Sequence, residues 1–457
     1  MAPTALCVPN LRQKYAAISE FPPTLHAFFR ACAAASAYRR NAGFAFFPKI
    51  VPFGDGALSL RLIFSNVERL REKFAEVYGG GGETEVFFAP GRVCFLGDHL
   101  DYNGGTVLTF ALPMGVYAAV RYRDDDVLRL FSERGDGASV AHRPGQIVET
   151  SWVRYPAGVY DYLLGADRPE NDAWKGYNVR GADVYYHSTL PIGAGLSSSA
   201  ALEVVTAFAL LYPLFGEKTD KVEIARLCKR VENRFVGVNC GIMDQFSVAL
   251  GLPDRLLTLD CSDESHRFSA VDLEGVVWVA MNTNVPRALR ESKYNERRAE
   301  CETALAAMRE NRPSLRALAH ADVAAVRAAK LPENVRKRAE YVVEEQARVM
   351  DCIAALKRGD VEKVGRLMNE SHAGLQGLYE VTGTHLDALC AAARSAPGAV
   401  GARMTGAGFG GCAIALVIAG AETEFIRSVG ENYRRATGME ADFYVVRPSP
   451  GVRRLGD

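Results

Sequence analysis

Apolar and polar positions follow two rhythms along this chain, and neither repeats at a fixed interval. Val67 to Val77 carries apolar residues at helical spacing, and the run Gly79 to Gly82 ends it. Glu85 to Phe88 reads as a short strand leading into Ala89-Pro90-Gly91-Arg92. Met114 to Arg121 and Gly181 to His187 predict further strands. Ser197 to Leu211 predicts an apolar helix stopped by Pro213, and Val222 to Phe235 a second helix. Val276 to Met281 is a continuous apolar strand. Tyr341 to Leu356 has helical periodicity, with Val342, Val349, Ile353 and Leu356 near one face. Cys412 to Ile418 and Phe443 to Val446 read as late strands. Helices and strands mix without a regular βαβ repeat, which predicts an α+β fold rather than a doubly wound sheet. Residues 1–60 carry no motif and are set apart as an extension of unknown role, in which Phe28, Phe29, Phe44, Phe46 and Phe47 could cap a core.

Composition narrows the function classes. A chain of 457 residues has room for two or three domains with sizeable cores. Lys plus Arg (54) balances Asp plus Glu (54), so no nucleic-acid partner is expected. The ten cysteines are scattered without a CxxC pair, which argues against a zinc ribbon and for a reducing, cytoplasmic setting. The N-terminus lacks a signal-peptide pattern, and the apolar stretch Gly411 to Gly420 falls short of the ~20 residues of a membrane helix. No membrane association is expected.

The chemistry is concentrated in a few segments. Leu190 to Ala201 reads LPIGAGLSSSAA. Gly193 and Gly195 free the backbone, Ser197, Ser198 and Ser199 follow, and an apolar helix begins. Such a loop can wrap a polyphosphate in backbone N–H groups, with the helix dipole adding positive potential. The P-loop signature is absent, since the chain holds no Gly-Lys dipeptide, and so is the Asp-Phe-Gly of protein kinases. A GxGxxG match at Gly406, Gly408 and Gly411 runs into an apolar strand, where a dinucleotide fingerprint must open a helix. Gly91 to Gly105, GRVCFLGDHLDYNGG, crowds Arg92, Asp98, His99 and Asp101 into a loop closed by a turn signal, as polyol binding requires. The bland alternative is a charged, solvated hairpin. In Val231 to Gln245, Glu232 and Asp244 could share one cleft, one holding Mg²⁺ and the other facing a substrate hydroxyl; equally they could be a surface residue and a helix N-cap. Thr283 to Cys301 ends in KYNERRAEC, where Tyr294 could touch a ligand while Arg297 and Arg298 read as a solvated helix face.

Taken in order, GRVCFLGDHLDYNGG, LPIGAGLSSSAALE, CGIMDQ, NERRAEC and MTGAGFGGC resemble the motifs of the galactokinases among the GHMP small-molecule kinases, over about residues 60 to 450. The resemblance implies an ATP-dependent 1-kinase for galactose with Mg²⁺ as cofactor. It implies a ribosomal-protein-S5-like N-terminal domain (61–270), a ferredoxin-like C-terminal domain (271–457) and an active site between them. Asp244 would be the catalytic carboxylate at the anomeric hydroxyl, with Arg92 beside it steering the transferring phosphoryl group. Asp98, His99, Asp101, Gly241 and Tyr294 would line the sugar pocket. Ser199 and Glu232 would hold Mg²⁺, Gly193, Gly195 and Ser197 to Ser199 would cradle the phosphates, and Trp152 in WVRYPAGV would lie near the adenine. The implied partners are the sugar and ATP, in a monomer or weak oligomer.

Three places depart from the pattern: Cys94 where the family carries Asn, Asp98 where it carries Glu, and Pro286-Arg287 where it carries Arg-His. The family's glutamate reaches the sugar's C6 hydroxyl. With a side chain one methylene shorter, the sugar sits deeper, a water bridges, or the substrate differs at C6. Arabinose, galacturonate and N-acetylgalactosamine are the alternative sugars, although Asp98 opposes the carboxylate of galacturonate. A non-catalytic sugar sensor and a mevalonate or homoserine kinase are the remaining readings. The intact phosphate loop argues against the first, and the Asp98-His99-Asp101 cluster against the second.

Overall fold

The computed structural model describes residues 56–456, apart from 166–167, 169–171, 192, 271–272 and 286–289, with the helical side chains at 56–66 and 290–292 also outside the description. The five phenylalanines of the N-terminal extension thus lie outside the described residues.

The first half of the described chain runs α1 (Gly56–Tyr78), β1 (Glu85–Leu96), β2 (Thr106–Tyr122), β3 (Leu128–Ser132), β4 (Val140–His142), α2 (Arg154–Leu164), β5 (Ala182–Ser188), α3 (Ser198–Phe215), α4 (Lys221–Val231), α5 (Met243–Leu250), β6 (Arg255–Asp260) and β7 (His266–Ala270). The second half runs β8 (Val276–Asn282), α6 (Arg290–Asn311), α7 (Val323–Ala328), α8 (Glu333–Leu356), α9 (Val361–Gly374), α10 (Gly383–Ser395), β9 (Ala399–Met404), β10 (Cys412–Ile418), α11 (Glu422–Thr437), β11 (Asp442–Val446) and β12 (Arg453–Leu455).

The strands form two sheets. The eight-stranded one has the order β12-β1-β2-β5-β3-β4, with β6 joined to β2 and β7 to β6; the four-stranded one has the order β11-β8-β10-β9. Among the described residues only β3 and β5 pair in parallel, so the expected α+β class holds. Apolar side chains on β8 and β10 lie in the core, and α9 and α10 cover β9. On the outer face of the larger sheet, Val67, Leu70 and Phe74 of α1 pack on Phe88, Tyr117 and Tyr185 in a second, smaller core. The last strand, β12, leaves the small sheet behind and pairs antiparallel with β1.

Three local features differ from the sequence expectation, each for a physical reason. The strand predicted to end at Phe88 continues to Leu96, because an irregularity between Pro90 and Arg92 absorbs the residue that cannot donate. Gly91 is required there: a Cβ would lie 2.6 Å from the Leu196 carbonyl oxygen. Helix α3 passes through Pro213 to Phe215. The carbonyl that the missing proline N–H would have bonded, Ala209 O, accepts instead from Tyr122 Oη at 2.9 Å. The helix predicted over Val222 to Phe235 is α4 followed by a π-helical turn, Glu232–Val236, ended by Gly237 at φ 84°. Residues Ser198–Lys218 have the length and apolarity of a membrane span, yet Ala200 to Leu211 is largely buried against the sheet, as a core helix is.

Candidate active site

The bend in β1 puts Arg92 against the phosphate loop, where its backbone N–H donates to Leu196 O at 3.2 Å. Its guanidinium meets the first turn of α5. Nε and Nη2 approach Asp244 Oδ1 at 2.8 and 2.7 Å, and Nη1 donates to Gly195 O at 2.8 Å. Ser197 Oγ donates to the other carboxylate oxygen, Oδ2, at 2.6 Å. Arg92 is 2% exposed while the Asp244 side chain keeps 27% of its surface. Burial works to discharge the guanidinium, but Asp244 and Asp98 outweigh it and hold its pKa above the usual value. Ser197 itself sits at φ 60°, a left-handed backbone that a serine adopts only under constraint. The sequence reading placed Ser197 in the phosphate cradle; its hydroxyl is turned to the carboxylate.

Arg92, Asp244, Asp98, His99, Asp101 and Tyr294 all face one cavity of about 590 Å³, together with Gly193, Ser199, Glu232 and Gly241. Asp98 is buried. Its Oδ2 lies 2.8 Å from Arg403 Nη2, and its Oδ1 accepts the Gly406 N–H at 2.8 Å. Burial raises the Asp98 pKa to about 6, against the pull of Arg403 and Arg92. Burial and then the neighbouring Asp244 raise Asp101 to about 6 as well. Cys94, another departure from the family pattern, is fully buried; its backbone exchanges hydrogen bonds with Thr405 Oγ1 at 3.1 and 2.9 Å, and burial pushes its thiol well up. Gly241 packs against Asp101 so closely that a Cβ would lie 2.0 Å from Oδ2. A side chain at Gly241 must therefore displace Asp101, and Gly241→Ala should lower the melting temperature, which a thermal melt checks.

Tyr155, Gly193 and Ser199 also line a second cavity of about 300 Å³, shared with Trp152, Arg134 and Ser198. The phosphate loop thus forms the wall between two adjoining spaces. Glu232, at the start of the π-helical turn, accepts from Gln245 Nε2 at 2.7 Å on Oε2. Among the described residues no group of three or more His, Cys, Asp or Glu could hold a metal unaided. A serine hydroxyl and one carboxylate on a shared cavity do suit Mg²⁺, which binds through few protein ligands plus substrate phosphates and water.

Sequence reasoning missed several residues here. Arg403 and Glu345, both fully buried, stand behind Asp98. The Gly406 turn adjoins Asp98 and the phosphate loop: a Cβ on Gly406 would lie 2.7 Å from Gly195 O. Its only signal in the sequence was the late glycine run. Arg297 is a correction. It does not lie on a solvated face but is 5% exposed, and its Nε donates to Tyr379 O at 2.8 Å. Arg298 is partly exposed and donates to Asn239 O at 2.6 Å.

Comparison with known proteins identifies the family. Residues 72–122 match the galactokinase galactose-binding signature, 161–252 the GHMP kinases N terminal domain and 352–435 the GHMP kinases C terminal. Galactokinase of Streptococcus thermophilus is 41% identical over 398 residues, covering 85% of this chain and 100% of that protein. Galactokinase of Bacillus subtilis is 38% identical, covering 85% and 99%. The crystal structure of Lactococcus lactis galactokinase complexed with galactose superimposes with a TM-score of 0.80 at 37% identity, over 85% of this chain and all of that one. The Methanococcus jannaschii mevalonate kinase shares the fold alone, with a TM-score of 0.56 at 19% identity over 81% and 99%. With its sugar signature, its two kinase modules and relatives matched over their whole length, the chain belongs to the galactokinase family of GHMP kinases.

Proposed function

We propose that this chain transfers the terminal phosphoryl group of ATP to the anomeric hydroxyl of galactose, giving galactose 1-phosphate and ADP. One observation carries the reading: the Arg92–Asp244 pair opens onto the same cavity as the sugar-signature residues and the phosphate loop. Phosphoryl transfer asks a protein mainly for positioning and charge stabilisation, and this cavity supplies both. Asp244 accepts the hydrogen bond of the anomeric hydroxyl and aims its oxygen, while Arg92 and Ser197 hold the carboxylate in place. Arg92 also lies where charge develops on the phosphoryl oxygens. Asp98, His99, Asp101, Gly241 and Tyr294 surround the sugar. Gly193, Gly195, Ser198 and Ser199 offer the phosphate cradle. Trp152 and Tyr155 line the second cavity, which supports the adenine lying there. Ser199 and Glu232 would hold Mg²⁺, which neutralises phosphate charge when bound.

The boundary at residues 270/271 falls between β7 and β8, and so between the two sheets. This supports two domains, 61–270 and 271–457, with β12 returning to the first. The scattered cysteines among the described residues fit a reducing cytoplasm.

Incubating the protein with Mg·ATP and a panel of sugars, with products read by mass, tests the assignment. Galactose 1-phosphate is the expected main product; turnover of another sugar alone would reassign the substrate, and no turnover with any would overturn the enzyme. A pH dependence follows from the same pocket. Asp98 and Asp101 have pKa values raised to about 6, so they take up protons as the pH falls through that value. The ionised acceptors are lost on the acid side, and KM for galactose should rise below about pH 6 while KM for ATP changes less. A pH series of both constants checks the sign.

A further inference from the structure

Gln245 is the chain neighbour of Asp244 but faces another way. Both stand in the first turn of α5, where successive side chains point about 100° apart. Asp244 turns to Arg92 and the cavity, while Gln245 is fully buried. Its Nε2 donates to Glu232 Oε2 at 2.7 Å. Chemistry fixes the direction of this bond: a carboxylate only accepts, so the amide must present its NH₂ group. Cys240 Sγ also comes within 3.5 Å of Oε2, but a thiol is a weak donor, and it has Asn233 Oδ1 at 3.4 Å as a second acceptor.

Glu232 is 6% exposed and lines the main cavity. Its backbone is held independently of the amide. Glu232 opens the π-helical turn, and its carbonyl accepts from the N–H groups of Gly237 at 3.0 Å and Val238 at 3.2 Å. The next residue, Asn233, accepts the Cys240 N–H on Oδ1 at 3.1 Å. With the backbone anchored, the side-chain torsions of Glu232 decide where its carboxylate lies, and Gln245 bears on them. A neutral partner suits the place, because Glu203, a second fully buried acid, interacts with both Glu232 and Gln245.

We propose that Gln245 is a positioning residue for the Mg²⁺ site: by holding one carboxylate oxygen of Glu232, it fixes that carboxylate at the cavity wall where, with Ser199, it serves the metal. The inference rests on the assignment of Glu232 to Mg²⁺ made above. Mg²⁺ tolerates little departure from octahedral geometry, and a hydrogen-bond partner of a ligating side chain typically contributes about ten- to a hundredfold in metal affinity.

Calorimetric titration of the full-length protein with the non-hydrolysable β,γ-imido analogue of ATP, with and without Mg²⁺, reads the site in the absence of turnover. Gln245→Met keeps the length of the side chain and removes the amide. It should raise the dissociation constant about tenfold when Mg²⁺ is present and leave it unchanged when Mg²⁺ is absent. Gln245→Asn, which draws the amide back by one methylene, should do the same and decides the matter if Gln245→Met does not fold. In a Glu232→Gln background, Gln245→Met should have no further effect. Binding of the wild-type strength in Mg²⁺ overturns the proposal, as does equal weakening with and without the metal, which would mean general loosening. If Glu232→Gln itself keeps the wild-type response to Mg²⁺, the ligand assignment falls and the proposal with it; if Glu232→Gln loses the response while Gln245→Met keeps it, the proposal alone falls.

Discussion

Asp244→Asn should lower kcat about 10³-fold while the protein keeps its fold and its affinity for ATP. The substitution preserves shape. An amide oxygen can still face Arg92, and Ser197 can rotate to accept from the new NH₂ group. What disappears is the charge. The carboxylate binds both Arg92 and Ser197 and has surface left over for a substrate hydroxyl. An amide in its place would orient that hydroxyl poorly and leave the buried guanidinium uncompensated. Steady-state kcat at saturating substrates, with thermal melting to confirm folding, checks this; turnover near the wild-type value would remove Asp244 from its role.

Arg403→Met should cost about 3–5 kcal/mol of stability, the range found when one partner of a buried ion pair is removed. Arg403 has no exposed surface and stands between two acids, Asp98 at 2.8 Å and Glu345 at 3.9 Å. The two would not suffer equally. Glu345 retains Arg348 Nε at 2.7 Å, Ser371 Oγ at 2.6 Å and the Gly97 N–H at 3.1 Å. Asp98 keeps, among the described residues, only the Gly406 N–H as a hydrogen-bond donor. Adding Asp98→Asn should therefore recover much of the loss, and adding Glu345→Gln should not. Urea unfolding of the single and double variants measures both. Equal stability of Arg403→Met and wild type would mean that the pair contributes nothing.

The two predictions differ in how far the sequence reveals them. Asp244 and Arg92 stand in motifs whose resemblance to the galactokinases implied that they would meet. Their geometry was not legible, because nothing local turns the Ser197 hydroxyl toward the carboxylate; the bend at Gly91 and the left-handed backbone at Ser197 do that. Strands such as β8, β10 and β11 were readable from apolar runs, since burial on a sheet imposes that composition directly. Pro213 misled because the group that replaces its missing bond partner comes from β2, far along the chain. Arg297 misled because a charged run at helical spacing looks the same whether water or carbonyl oxygens receive its hydrogen bonds. The shortened acid at Asp98 was visible as a departure, but its partner Arg403 could be identified only once the strands were assembled.

The return of β12 to the first sheet has a mechanical meaning. Backbone crosses from the large sheet to the small one after β7 and comes back after β11, and the returning stretch is fastened by Ser449 N to Ala111 O (2.9 Å), Gly451 N to Gly251 O (2.7 Å) and Val452 N to Val248 O (3.0 Å). A body joined by one tether can swing and twist freely. One joined by two, with the second riveted down, is held in register, so Arg403 and Gly406 on the small-sheet side are kept opposite Asp98.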